Sequence, residues 1–135
     1  MILVDSCVLI DVFDADPHWQ QWSLDALQAH HAQGLAVNAL ICAEIAPSFQ
    51  SLQGMQSALD LAHLVYAPLS QTAAFLAAQA FTQYRQNNGS KLSTLPDFFI
   101  GAHAKAQGWA ILTRDKARYK TYFPAVTLIT PDTFH

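Results

Sequence analysis

Met1-Ile2-Leu3-Val4-Asp5-Ser6-Cys7-Val8-Leu9-Ile10-Asp11-Val12 opens the chain and decides its class. Residues 1–4 are uniformly apolar and meet Asp5-Ser6 at once, which reads as a short strand buried on both faces. Strands of that kind belong to parallel sheets covered by helices. Residues 6–12 read as a short helix, so strand passes to helix with an acid at the junction. The alternation then continues. Asp16-Pro17 starts a helix over residues 18–33, with Asp16 as cap, and Gly34 stops it. Residues 35–37 form a second strand, Asn38 caps the next helix, and Pro47 ends or bends it. Further helices are expected over residues 54–64, 70–84, 96–108 and 114–122, a polar loop over 89–95, and strands over 65–67, 110–112 and 126–129. The pattern is that of an α/β domain in three layers, α/β/α, around a mostly parallel sheet of four to five strands.

Composition narrows the class further. A chain of 135 residues fits one domain, 1–135, and its 52% hydrophobic and 13% charged content excludes disorder. No apolar run has the length to cross a bilayer, and the first residues lack the basic region of a signal peptide, so a cytoplasmic protein without a membrane role is expected. Cys7 and Cys42 lie in apolar segments without metal-ligand spacing and read as buried free thiols. The net charge of −3 hides an asymmetry: every basic residue lies between Arg85 and Lys120, and residues 1–84 contain none. Such residues can hold a polyanion locally although the whole chain is acidic, or simply form a solvated helical face.

Glu44 is the one glutamate of the chain, and it sits in Ala39-Leu40-Ile41-Cys42-Ala43-Glu44-Ile45-Ala46, a stretch with no other polar side chain except the thiol. A carboxylate among apolar neighbours needs a compensating partner or cation. Chain geometry gives it companions. Asp5 ends the first strand, Glu44 lies in the helix leaving the second, and Asp115 follows the strand at 110–112. Asp97 opens the helix leading back into that same strand. A helix of about eleven residues spans roughly 16 Å, and the strand retraces it, so Asp97 returns to the same edge. Carboxyl ends of strands are where α/β sheets bind ligands. Asp5, Asp97 and Asp115 each also have a plain structural reading as helix or turn caps; Glu44 does not. Four converging carboxylates repel one another, and one or two Mg²⁺ or Mn²⁺ ions would relieve this. The reaction implied is phosphodiester hydrolysis, with the ions orienting and activating water.

These segments resemble the PIN domain, and more narrowly the VapC-like ribonuclease toxins of toxin–antitoxin pairs. Residues 2–11 resemble the opening strand and first acid, residues 41–45 the glutamate helix, and residues 95–104 the third-acid helix. Leu112-Thr113-Arg114-Asp115 resembles the fourth-acid motif, and residues 123–131 the closing strand. By that resemblance Asp5, Glu44, Asp97 and Asp115 are the catalytic, metal-site acids, and Ser6 and Thr113 are small hydroxyls near the metal. It implies a metal-dependent endoribonuclease that forms homodimers and is inhibited by a cognate antitoxin. Asn38 departs from the Ser or Thr usual at its position, and residues 47–67 carry nothing over.

In the expected site Asp5 and Asp97 are the main ligands of one Mg²⁺, and Glu44 and Asp115 complete the cluster through water or a second ion. Arg114, Arg85, Lys91 and Arg118 are the candidates to hold RNA phosphates, Arg114 foremost because it adjoins Asp115. His103, nearly opposite Asp97 on its helix, reads as structural, and His30, His31 and His63 receive no role. Phe13, Trp19 and Trp22 read as core aromatics, with an antitoxin groove as the second reading. A haloacid-dehalogenase-like phosphatase is excluded by Cys7 where a second aspartate is required, and a von Willebrand-type site by Cys7 and Leu9 where serines are required. A receiver domain has no place for Glu44. The rival of a different class is a non-catalytic PIN-like module that acts through a protein partner.

Overall fold

Strand β1 (Ile2–Val4) lies at the centre of a five-stranded sheet, which is why its residues are uniformly apolar and almost wholly buried. The computed structural model of the chain describes residues 1–89 and 95–135. Strand β2 (Leu35–Val37) pairs with β1 on one side, Ile2 opposite Leu35, and β4 (Ala110–Leu112) on the other, Ile2 opposite Ala110. Outside these, β3 (Leu64–Tyr66) pairs with β2 and β5 (Leu128–Ile129) with β4. All four pairings are parallel, in the order β3-β2-β1-β4-β5. The strand order therefore reverses direction between β1 and β4, and the crevice at their carboxyl ends is the switch point where such sheets bind ligands.

Among the described residues, seven α-helices connect the strands: α1 (Ser6–Phe13), α2 (Gln20–His30), α3 (Ala39–Ile45), α4 (Leu52–Leu61), α5 (Gln71–Gln86), α6 (Leu95–Gln107) and α7 (Ala117–Lys120). Side-chain caps set several starts. Asn38 accepts from the Ile41 amide at 3.0 Å, Ser51 from Gly54 at 3.0 Å, and Ser70 from Ala73 at 3.1 Å. Ser51 explains why α4 starts earlier than the glycine at 54 suggests. Asp16 caps a turn through the His18 and Trp19 amides, both at 2.9 Å, and α2 begins only at Gln20. Residues 31–33 and 46–48 tighten into 3₁₀ turns, the second containing Pro47. Strand β3 lies one residue earlier than expected, and α7 is a single turn.

Helix α6 is placed by two glycines. Gly108, with φ of +71°, lets the chain leave the helix for β4. At Gly101 a Cβ would stand 2.3 Å from the Phe123 ring, so the helix sits against the segment after α7 at a distance only glycine allows. Among the described residues, no helix is long and apolar enough to cross a membrane.

Candidate functional site

Asp5 is fully buried at the end of β1. Its Oδ1 accepts from the Ser6 amide at 2.8 Å, which caps α1. Its Oδ2 accepts from the hydroxyls of Thr113 at 2.8 Å and Tyr119 at 2.9 Å. Pairing of β1 with β4 makes this possible, since the Asp5 amide donates to the Leu112 carbonyl at 2.9 Å and brings Thr113 alongside. The Thr113 hydroxyl also accepts from the Asp115 amide at 3.1 Å, so one side chain orients the first acid and the turn bearing the fourth. Its oxygen lies 3.6 Å from the Cys7 sulfur. Burial, then Asp5, pushes the Cys7 thiol up to about 11, so it stays protonated and donates. Burial, reinforced by Asp5 and Asp97, likewise holds Tyr119 well above the ordinary tyrosine value and keeps it a donor.

Asp97 is buried in the first turn of α6, where the helix dipole favours a negative charge. Its Oδ1 is 3.5 Å from Nη1 of Arg118, and Nε of the same arginine is 3.3 Å from Oδ2 of the half-exposed Asp115. Burial works against the Arg118 charge, but Asp97 and Asp5 outweigh it and hold its pKa above the usual arginine value. Glu44, in the last turn of α3, feels the same neighbours with the opposite sign. Burial first, then Asp5 and Asp97, raises its pKa against the opposing influence of the Ser6 hydroxyl and Arg118. Its Oε1 is buried without a hydrogen-bond partner. The edge thus brings Asp5, Glu44 and Asp97 into electrostatic reach of one another, with Asp115 joined at the rim through Arg118.

Whether this edge suits a divalent cation can be judged from its donors. The oxygens are hard, and an orphaned buried carboxylate oxygen is what a cation or its water would satisfy. Among the described residues, however, no three His, Cys, Asp or Glu side chains stand close enough to form a ready-made cage. An ion taken here would keep several waters and few direct protein ligands.

The basic candidates separate. Arg118 lies in the site. Arg114 does not: its Nε and Nη2 donate to the two carboxylate oxygens of Asp11 at 2.7 and 3.1 Å, and its guanidinium lies 5.0 Å from the Trp19 ring centre. Asp11 is 2% exposed and also accepts from the Ser23 hydroxyl at 2.8 Å. Adjacency to Asp115 in sequence therefore does not place Arg114 among the acids; its side chain is held over α1. Arg85 lies in the last turn of α5 with its guanidinium 6.0 Å from the Phe81 ring centre, and Lys91 lies outside the described residues. The aromatics also have partners within the chain, since Phe13 meets Phe49 edge-on at 5.1 Å and the Trp22 indole donates to the Phe134 carbonyl at 2.8 Å. An apolar groove between α3 and α4, lined by Cys42, Ala46, Met55, Leu59 and Tyr66, contains none of the four acids.

His103 is buried, and its Nδ1 accepts from the Asn38 amide nitrogen at 3.0 Å, which links α6 to the cap of α3. Sequence reasoning missed Asp11 and Tyr119. For Asp11 a signal existed, an acid in an apolar helix, the same oddity that marks Glu44. For Tyr119 none did, since its hydroxyl finds its partner only through the fold.

The sequence matches the PIN domain family over residues 2–124. The chain belongs to that family. Solved structures share the PIN domain fold along nearly the full length. VapBC2 from Rickettsia felis, bound to a DNA fragment from its promoter, aligns with a TM-score of 0.74 at 18% identity, covering 96% of this chain and 98% of that one. A toxin–antitoxin complex from Klebsiella pneumoniae gives 0.70 at 22%, covering 97% and 98%. FitAcB from Neisseria gonorrhoeae gives 0.65 at 18%, again covering 97% and 98%. At these identities the likeness is one of PIN domain fold. No curated protein sequence matches the chain.

Proposed function

We propose that this PIN domain is a metal-dependent endoribonuclease and the toxin of a toxin–antitoxin pair. One observation carries the reading: a buried glutamate oxygen without a partner, at the switch point of the sheet, beside two buried aspartates. Asp5 and Asp97 would hold a Mg²⁺ or Mn²⁺ ion, with Glu44 and Asp115 completing its surroundings through water or a second ion. When bound, such an ion supplies positive charge against the charge developing on a scissile phosphate and lowers the pKa of water. The chain does the rest. Thr113, Tyr119 and the Ser6 amide fix the Asp5 carboxylate in one orientation. Glu44, raised in pKa by burial, is suited to take a proton at Oε1. RNA phosphates would approach over the basic C-terminal third. The toxin–antitoxin complexes among the structural neighbours support an antitoxin partner. A homodimer, a cytoplasmic location and a single domain over 1–135 belong to the same proposal.

The absence of a ready cage among the described residues favours a second reading, a PIN module that binds a partner without catalysis. Incubating the antitoxin-free protein with RNA in Mg²⁺, Mn²⁺ or EDTA, beside Asp5→Asn, separates the two. The nuclease cleaves only with metal and the variant does not. Cleavage in EDTA, or full activity of the variant, would sink the metal-dependent mechanism, and failure to cut any RNA would leave the binding module.

A further inference from the structure

We propose that Arg118 is the resident counter-ion of the acidic edge, holding the place between Asp97 and Asp115 that a divalent cation needs, so that the cation loads only as the guanidinium gives way. The inference rests on the cation-binding reading above and adds to it a competitor supplied by the chain itself.

The two arginines of the β4–α7 segment pair with different acids. Arg114 meets Asp11 at 2.7 Å, in a two-point pair, with an aromatic ring behind it. Arg118 meets Asp97 and Asp115 at 3.5 and 3.3 Å, longer than the roughly 2.7–2.9 Å of strong charged hydrogen bonds. Its side chain is 32% exposed, so a path to solvent is open. The carboxylates come from separate elements, α6 and the loop after β4, and the planar guanidinium spans them.

The test measures cation binding directly. Mn²⁺ is titrated calorimetrically into the full chain, freed of metal, for wild type, Arg118→Met, Arg118→Lys and Asp97→Asn. Removing a full charge beside two ligands should tighten Mn²⁺ binding of Arg118→Met about tenfold. Arg118→Lys, which keeps the charge, should stay within about threefold of wild type. In EDTA the methionine variant should melt below wild type, and saturating Mn²⁺ should close the gap. Unchanged or weaker Mn²⁺ binding by Arg118→Met would overturn the proposal while leaving the cation site standing, as would equal tightening by the lysine variant. If wild type and Arg118→Met both bind no Mn²⁺, the cation-binding reading falls and takes this one with it.

Discussion

Glu44 carries the highest stakes of any single side chain here, because its buried Oε1 is unpartnered and its neighbours are acids. Its folded pKa lies above the ordinary 4.5, so its contribution to stability is present below that value and lost as pH rises through the raised one. In EDTA at neutral pH, Glu44→Gln should therefore raise stability, by roughly 0.5–1 kcal/mol given the solvent that still reaches it. Denaturant melts at several pH values check this, with the gain vanishing below about pH 4.5. Asp11 is the converse case, a buried acid with a dedicated cation. Asp11→Asn should cost about 2–3 kcal/mol, since Arg114 loses its charged partner. Arg114→Met should cost a similar amount and leave RNA affinity of the folded fraction nearly unchanged. A large affinity loss with intact stability would instead return Arg114 to the phosphate-binding residues. The sequence makes Glu44 legible because an acid among Leu40, Ile41 and Ile45 has no surface explanation. Arg114 adjoins Asp115 in sequence, but its partner Asp11 lies 103 positions away, and only the pairing of β1 with β4 brings the two together.

Helix α6 bears Asp97 on one turn and Gly101 on the next, so its seating against Phe123 also positions the acid. Gly101→Ala introduces a Cβ into the Phe123 ring and should destabilise the fold by about 1–3 kcal/mol through overpacking. Thermal melts read that loss directly, and Mn²⁺ affinity should fall with it as Asp97 shifts. The same helix holds His103, whose pKa is lowered by burial below the ordinary 6.5. Its contribution is present above 6.5 and lost as pH falls toward the folded value. Wild type should therefore lose stability as pH falls below 6.5 more steeply than His103→Gln, which has nothing to protonate; parallel curves would contradict this. Element order and type were readable because each apolar run is short and bounded by Asp, Asn, Ser, Gly or Pro. Boundaries were less so. Ser51 as a cap in place of Gly54 as a start, and the late entry into α2 at Gln20, depend on which of several polar residues the backbone uses.

Across the molecule, charge and topology point to a binding edge that is local rather than broad. Lys116 is paired with Asp132 at 2.6 Å, and Arg114 and Arg118 with acids of the same chain, so much of the basic third is internally engaged. RNA binding, measured with a non-hydrolysed analogue, should weaken with salt at a log–log slope of roughly −1.4 to −2.1, that of two or three phosphate contacts. A slope several times steeper would mean a far wider cationic face than these pairs leave. The overall architecture follows from a pattern, strand then helix with acids at the junctions, that any parallel sheet must write into its sequence. The orientation of Asp5 does not, because it depends on hydroxyls 108 and 114 positions downstream. That span has a consequence in time. At roughly 5–20 residues per second, a nascent chain that has just exposed Asp5 waits on the order of six to twenty seconds before Tyr119 is made. Until residues 110–113 are made, the sheet lacks one of the two neighbours of its central strand, and the first acid has neither hydroxyl donor. A cell making this protein holds an unassembled acidic edge through most of each round of synthesis, and in a chain cut short before Thr113 the edge stays unassembled.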